Sequence, residues 1–444
     1  MEIKTYLTDF INKKCACGKS HKINLPEIIV GKNALSKVPE FIEKFGGGKA
    51  FVLADVNTFE VAGKKLIEVL ESSKISYSKH VFSKKEIEPD EEAVGSAVMH
   101  FDHSCNIVIA VGSGVINDIG KILSATANKP YFIVGTAPSM DGYASATSSV
   151  SMDGVKTSLP SKCADVIIGD IEVLKNAPER MLQAGIGDML AKYISIAEWR
   201  IANEITGEYY CGAVASLIRN AVKRCVDNAN GLLARNEGAI KAVFEGLIIG
   251  GVAMAIAGCS RPASGIEHYF SHVWDMRGLE FGTKVELHGL QCAVGTYISA
   301  KLYEKVLKIT PDKEKALNYV KAFDYSCWEN TLSRFLGKSA KTMAELEKKE
   351  GKYDVCKHGK RLETIISKWD EICLVIKEEI PSTEELDKLF ETIKLCKSAK
   401  EMEIDADLYT TFCATKDIRD KYVLSRLLWD LGEIEDFKRF LTNE

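Results

Sequence analysis

The stretch Val111-Gly112-Ser113-Gly114-Val115-Ile116-Asn117-Asp118-Ile119-Gly120-Lys121 follows the β-branched run Asn106–Val111 and opens a helix-like segment. Glycines at a strand-to-helix junction let the backbone come close to a bound group. The helix behind them offers unpaired N–H groups and the positive end of its dipole. The physical reading is a seat for an anion such as a diphosphate; a turn that merely uses glycine is the alternative. Three further short runs, Ala50–Ala54, Tyr131–Val134 and Asp165–Ile168, end at a glycine, an aspartate or a loop and alternate with helix-like stretches. That rhythm predicts a parallel sheet with crossover helices, in which ligands bind beyond the carboxyl ends of the strands.

Residues just past those ends therefore matter most. Asp55 closes Ala50–Ala54, where a carboxylate can accept from the ribose hydroxyls of a dinucleotide and repel a 2′-phosphate, or can cap a helix. The loop Gly135-Thr136-Ala137-Pro138-Ser139-Met140-Asp141-Gly142-Tyr143-Ala144-Ser145 is dense in small polar residues, which can line a ligand crevice or satisfy their own backbone. From about Arg180 apolar residues recur at helical spacing and strand-like runs vanish. Eight of the ten prolines lie at or before Pro262, and only four glycines follow residue 300, so the two parts differ in kind. The expected organisation is an α/β nucleotide-binding domain over 1–178 and an all-helical domain over 179–444. Within the latter, 338–379 reads as solvated amphipathic helices.

Composition narrows the function classes. The 444 residues are 46% hydrophobic and 27% charged, which is globular, and 58 basic against 62 acidic residues leave a net charge of −4. No basic field exists to hold nucleic acid or anionic lipid. The longest apolar stretch, Leu247–Gly258, is shorter than the roughly 20 residues a membrane span needs, so no membrane insertion is expected. Met-Glu-Ile-Lys-Thr-Tyr at the N-terminus has no signal-peptide pattern, and thirteen cysteines follow no framework spacing. A cytoplasmic location with reduced, mostly buried thiols is the expectation.

Three of the eight histidines, His268, His272 and His288, fall within 21 residues. His268 and His272 are one helical turn apart and share a face. His288 precedes Gly289 where the spacing predicts a helix start, and Asp188, in Gly185-Ile-Gly-Asp188, is expected at another helix opening. Two imidazoles and a carboxylate suit a first-row divalent ion and leave a position open for a substrate oxygen. Spacing alone leaves open which two histidines take part. A second group, Cys15-Ala-Cys17-Gly-Lys-Ser-His21, sets two thiols and an imidazole close together. Both a zinc knuckle and a local turn with incidental thiols fit that spacing.

Several segments in order resemble one family: Gly112-Ser-Gly, Asp118 and Lys121; Thr136-Ala-Pro-Ser-Met-Asp141-Gly-Tyr-Ala-Ser145; Gly185-Ile-Gly-Asp188; Ser260-Arg-Pro-Ala-Ser-Gly-Ile-Glu-His268-Tyr-Phe-Ser-His272; and His288-Gly. They resemble the sn-glycerol-1-phosphate dehydrogenases, in the superfamily of iron-type alcohol dehydrogenases, glycerol dehydrogenase and dehydroquinate synthase. The match runs from about Ile23 to His288. Ile418-Arg-Asp-Lys-Tyr422 and Leu427-Leu-Trp-Asp-Leu-Gly432 resemble the longer bacterial form. The resemblance implies a Rossmann-like NAD-binding domain followed by an all-α, dehydroquinate synthase-like domain.

It further implies that Asp188, His268 and His288 bind the metal, zinc or nickel, and that Asp141 and His272 contact substrate with Asp188 nearby. Gly112, Ser113, Gly114, Val115, Ile116, Thr136, Ala137, Pro138, Ser139 and Ser145 would contact the dinucleotide, joined by Asp55. Ser113 departs from the middle glycine usual in that loop. NAD is the expected coenzyme and NADP a possible one; a homodimer, a small-molecule substrate and a supply of glycerol phosphate to phospholipid synthesis are implied as well. The reaction implied is reversible hydride transfer between NAD(H) and C2 of dihydroxyacetone phosphate, with His272 either a proton relay or an orienting group. A polyol dehydrogenase acting without phosphate, a non-redox sugar-phosphate cyclase and an inactive metal-binding regulator are the competing readings.

Overall fold

The protein is described by a computed structural model covering residues 3–84, 86–404 and 407–443. It divides into two compact units, Met1–Met189 with Ser216–Cys259 and Leu190–Ala215 with Ser260–Glu444. The first unit thus takes in two stretches of helical chain beyond residue 178.

Among the described residues, eight strands lie in the first unit: β1 (Glu27–Gly31), β2 (Ala50–Asp55), β3 (Tyr77–Phe82), β4 (Ile107–Gly112), β5 (Tyr131–Gly135), β6 (Thr147–Met152), β7 (Val155–Pro160) and β8 (Val166–Asp170). Six of them form one parallel sheet in the order β1-β8-β5-β4-β2-β3. Its four inner strands coincide with the apolar runs read from sequence. The edge strands β1 and β3 were not legible there. Glu27-Ile-Ile-Val-Gly31 is only half-buried throughout, and Tyr77-Ser-Lys-His-Val-Phe82 mixes polar with apolar side chains, as an edge exposed to solvent permits. Strands β6 and β7 pair as a hairpin closed by Asp153 and Gly154 at φ +53° and +74°, a two-residue turn that Asp-Gly favours.

A parallel sheet is covered on both faces, so its inner strands are apolar at every position. Val52, Ala54, Ile107, Ile109, Val111, Phe132, Val134, Val166 and Ile168 form one core with Val38, Ile42, Leu66 and Leu70 from flanking helices. Phe51, Leu53, Val108 and Ala110 are equally buried between them in the alternate register. At the carboxyl ends of β5 and β8, Gly135 and Gly169 leave room for the ring of Phe244. A Cβ on either glycine would come within 2.7 or 2.4 Å of it.

Phe244 belongs to the helix Glu237–Ala257, capped by the Asn236 side chain at one end and by Gly258 at φ +70° at the other. The helix corrects one expectation. It extends back beyond the apolar stretch that starts at Leu247, and its 21 residues are long and apolar enough to cross a membrane by length and composition. Yet 83% of its apolar window is buried inside the protein, as in a core helix.

The second unit is helical. Lys192–Thr206, Ile266–Phe281 and His288–Val306 pack around Trp199, Trp274 and Tyr303, all buried. The charged stretch 338–379 forms three helices, Ser339–Glu350, Val355–Ser367 and Trp369–Glu379. The thirteen cysteines form no disulfide. Only five are buried, so the expectation of mostly buried thiols does not hold.

Replacing Phe244 with Ala leaves an apolar void against two glycines that cannot fill it, at a cost of about 3–5 kcal/mol. The expected readout is a lowered urea or thermal midpoint of the first unit, with the far-ultraviolet spectrum of the folded protein unchanged.

Candidate functional site

In the sheet order, the chain runs outward from β2 to β3, then restarts on the other side of β2 with β4 and proceeds through β5 to β8. The β2/β4 junction is therefore the switch point of the sheet, where a crevice opens beyond the strand ends. Asp55 and Gly112, the last residues of those two strands, stand there. Asp55 caps the short helix Val56–Thr58. Its Oδ1 accepts the N–H groups of Asn57 and Thr58 at 2.8 and 2.9 Å, while Thr58 Oγ1 accepts the Asp55 N–H at 3.0 Å. The capping role weighed in the sequence is thus real.

Ser113 starts the helix Gly114–Ala127 without capping it. Its hydroxyl instead shares a hydrogen bond with Ser139 Oγ and lies 3.3 Å from Tyr143 Oη, whose proton goes to the Ala137 carbonyl at 2.6 Å. A serine in place of the usual glycine therefore joins the two expected ligand loops, 112–116 and 136–139. Ser145 is held inward. Buried Lys121 donates to Ser145 Oγ at 3.1 Å and to the Thr147 carbonyl at 2.7 Å, and pairs with Asp118 at 2.9 Å.

Asp188 is not at a helix opening, as its glycines suggested. It lies in the last turn of Glu179–Leu190, with Gly185 inside that helix. The physical reason is a close approach: a Cβ on Gly185 would fall 1.7 Å from the Pro138 carbonyl oxygen. That approach lets the helix lie against the 136–139 loop, and Asp188 Oδ2 then accepts the Asp141 N–H at 2.9 Å.

In the second unit, His268 and His272 sit one turn apart on Ile266–Phe281, and His288 is the first residue of His288–Val306. The ring centres of His268 and His288 are 5.0 Å apart, and those of His272 and His288 6.2 Å. His268 Nδ1 is 2.8 Å from Glu267 Oε1, and Ser271 Oγ is 3.0 Å from His288 Nδ1. Such partners fix a ring and leave its other nitrogen for a metal. Burial, reinforced by Lys192 and the neighbouring imidazoles, pushes the His268 pKa well below its usual value, which keeps the imidazole neutral. Sequence reasoning missed Cys292, whose Sγ lies 3.5 Å from His288 Nε2 and within 4.8 Å of a ring nitrogen of each of His268 and His288. Its spacing of four from His288 was the available signal.

Glu267 is buried against Glu198. Burial holds both carboxyl pKa values up, and repulsion from Glu198 adds to the rise at Glu267, although Glu198 accepts the N–H groups of Ile266 and Leu424 at 2.8 and 2.7 Å and the Tyr303 hydroxyl at 3.2 Å. Arg261 is committed as well. It forks onto Glu208 and donates Nη1 to the Tyr422 carbonyl at 2.9 Å.

Residues 29–178 match the family described as iron-containing alcohol dehydrogenase. The chain is 33% identical over 298 residues to a protein of Halalkalibacterium halodurans named glycerol-1-phosphate dehydrogenase (NAD(P)+), covering 66% of this chain and 75% of that one. A protein of the same name from Thermococcus kodakarensis is 36% identical over 285 residues, covering 64% and 79%. In fold, the chain is similar to the crystal structure of glycerol dehydrogenase from Schizosaccharomyces pombe, with a TM-score of 0.58 at 16% identity over 95% of this chain and 93% of that one.

Gly185→Ala should force the 179–190 helix away from the Pro138 carbonyl. Overpacking of this kind costs about 1–3 kcal/mol. A lowered denaturation midpoint is expected, and an unchanged midpoint would show that the loop yields without strain.

Proposed function

The chain belongs to the glycerol-1-phosphate dehydrogenase (NAD(P)+) family, and on that premise we propose how its residues carry the reversible, NAD(P)-linked interconversion of dihydroxyacetone phosphate and glycerol 1-phosphate. Asp188, His268 and His288 would hold one divalent ion, with zinc and nickel the candidates. The observation that carries this reading is the His268–His288 pair: one imidazole kept neutral by burial, both with Nδ1 at a neighbouring side chain. When bound, the ion acts as a Lewis acid on the substrate carbonyl while the reduced nicotinamide supplies hydride.

The remaining work falls to the chain. Loops 112–116 and 136–139, joined through Ser113 and Ser139, would seat the diphosphate at the N-terminus of Gly114–Ala127. Both cap bonds of Asp55 fall on Oδ1, which leaves Oδ2 for a ribose hydroxyl and sets a negative charge against a 2′-phosphate, so NADH is preferred over NADPH. Asp141, whose backbone N–H steadies Asp188, would face the substrate hydroxyls. Half-buried His272 would hold or pass the proton that the reduced oxygen takes up. Arg261 is spent on Glu208 and Tyr422 and does not serve the substrate phosphate. A cytoplasmic homodimer that feeds lipid synthesis completes the reading.

His288→Ala should lose both the bound metal and turnover. His272→Ala should keep the metal while turnover falls about 10²–10⁴-fold, and Cys292→Ala should keep both. Metal analysis beside NADH oxidation separates the three; full metal occupancy in His288→Ala overturns the ligand assignment. The substrate is tested by comparing dihydroxyacetone phosphate with dihydroxyacetone. The phosphate supplies binding energy remote from the reacting carbon, so its loss should lower kcat as well as affinity, by on the order of 100-fold or more in kcat/KM. Equal efficiency would refute the phosphate requirement, and a product of sn-3 configuration would refute the stereochemistry.

A further inference from the structure

Between the helix Ile3–Ile11 and β1, the chain turns at Cys15-Ala-Cys17-Gly18, with the Gly18 N–H on the Cys15 carbonyl at 3.3 Å and Gly18 at φ +78°. That turn faces both sulfurs toward His21, which is 3% exposed and stacks on Phe10 at 6.2 Å. Cys17 Sγ lies 3.3 Å from His21 Nε2, and the two Sγ atoms and an imidazole nitrogen all fall within 4.8 Å of one another. In a tetrahedral zinc site, bond lengths of about 2.3 Å to sulfur and 2.0 Å to nitrogen set neighbouring donors roughly 3.5–3.8 Å apart; the Cys17–His21 pair stands close to that spacing, and Cys15 Sγ lies within 4.8 Å of Cys17 Sγ and of an imidazole nitrogen.

We infer that Cys15, Cys17 and His21 form a structural zinc site, separate from the histidine cluster of the second unit and without part in hydride transfer. Two thiolates and an imidazole are soft donors that select zinc over magnesium, calcium or manganese. Binding releases the two thiol protons to solvent and changes no oxidation state. The site has a mechanical purpose in the first unit. β1 is an edge strand half-buried along its whole length, and the helix before it is short, held to it by the Lys4–Glu27 ion pair. A metal between them closes the connecting segment and adds the stability that so small an apolar contact does not supply.

The full chain, purified from zinc-supplemented cells, should carry one more zinc than its Cys15→Ser/Cys17→Ser variant, whereas His288→Ala should lose a different equivalent and keep this one. Cobalt loaded into His288→Ala should show intense sulfur-to-cobalt charge transfer in the near ultraviolet, absent once both thiols are replaced. Loss of the site should also lower the thermal midpoint. Should the thiol variant fail to fold, the wild-type chain decides: peptide mapping after N-ethylmaleimide should show Cys15 and Cys17 alkylated about tenfold or more faster after chelation, as released thiolates react. Equal zinc content with and without the two thiols, or alkylation at one rate with and without chelator, overturns the site.

Discussion

The carboxylate of Glu198 is where the second unit is tied together. It reaches from the helix Lys192–Thr206 to the backbone of Ile266, where the histidine-bearing helix begins, to Leu424 in the C-terminal segment, and to the hydroxyl of Tyr303. A buried carboxylate without such donors would cost several kcal/mol, so each segment is constrained to bring its N–H or O–H to the same point. His268 inherits its position from that constraint, because it stands two residues beyond Ile266 and its ring is oriented by Glu267, the neighbour of Glu198.

The C-terminal segment is bound into the same arrangement. Tyr422 accepts from Arg261 through its carbonyl and donates its hydroxyl to Asp430, and Lys421 donates to the Ser264 carbonyl at 2.6 Å. Asp430 in turn receives the Arg361 fork at 2.9 Å. The residues from Ser260 to Gly265, which lead into the histidine helix, are therefore clamped by chain that lies some 160 positions later. The C-terminal segment around Tyr422 and Asp430 thus serves as scaffold for the helix that carries His268 and His272.

Legibility in the sequence followed burial. Inner strands and their terminal glycines could be read because a parallel sheet demands unbroken apolar runs, and the His268/His272 pair because helical spacing places it on one face. Edge strands were hidden by their half-exposed, mixed composition. Asp188 was misplaced because Gly185 resembles a helix start, while its actual role is set by a carbonyl, Pro138, 47 residues earlier in the chain. Glu198, Glu267 and Lys121 could not be told from surface charges, since only the fold shows what surrounds them. Cys292 was within reach of the same one-turn argument that grouped the histidines.

The core helix Glu237–Ala257 carries a consequence for how the protein comes into being. Outside its fold, a 21-residue helix with 18 consecutive residues of mean hydropathy 1.9 is a segment that aggregates or partitions into lipid. Synthesis runs from the N-terminus, and every strand of the sheet, Glu27 through Asp170, leaves the ribosome before Phe244 does. The apolar helix thus emerges after its receptor, and the order of elements along the chain is itself a safeguard against misfolding. A circular permutation that placed residues 237–257 ahead of the sheet would preserve every contact and forfeit that protection.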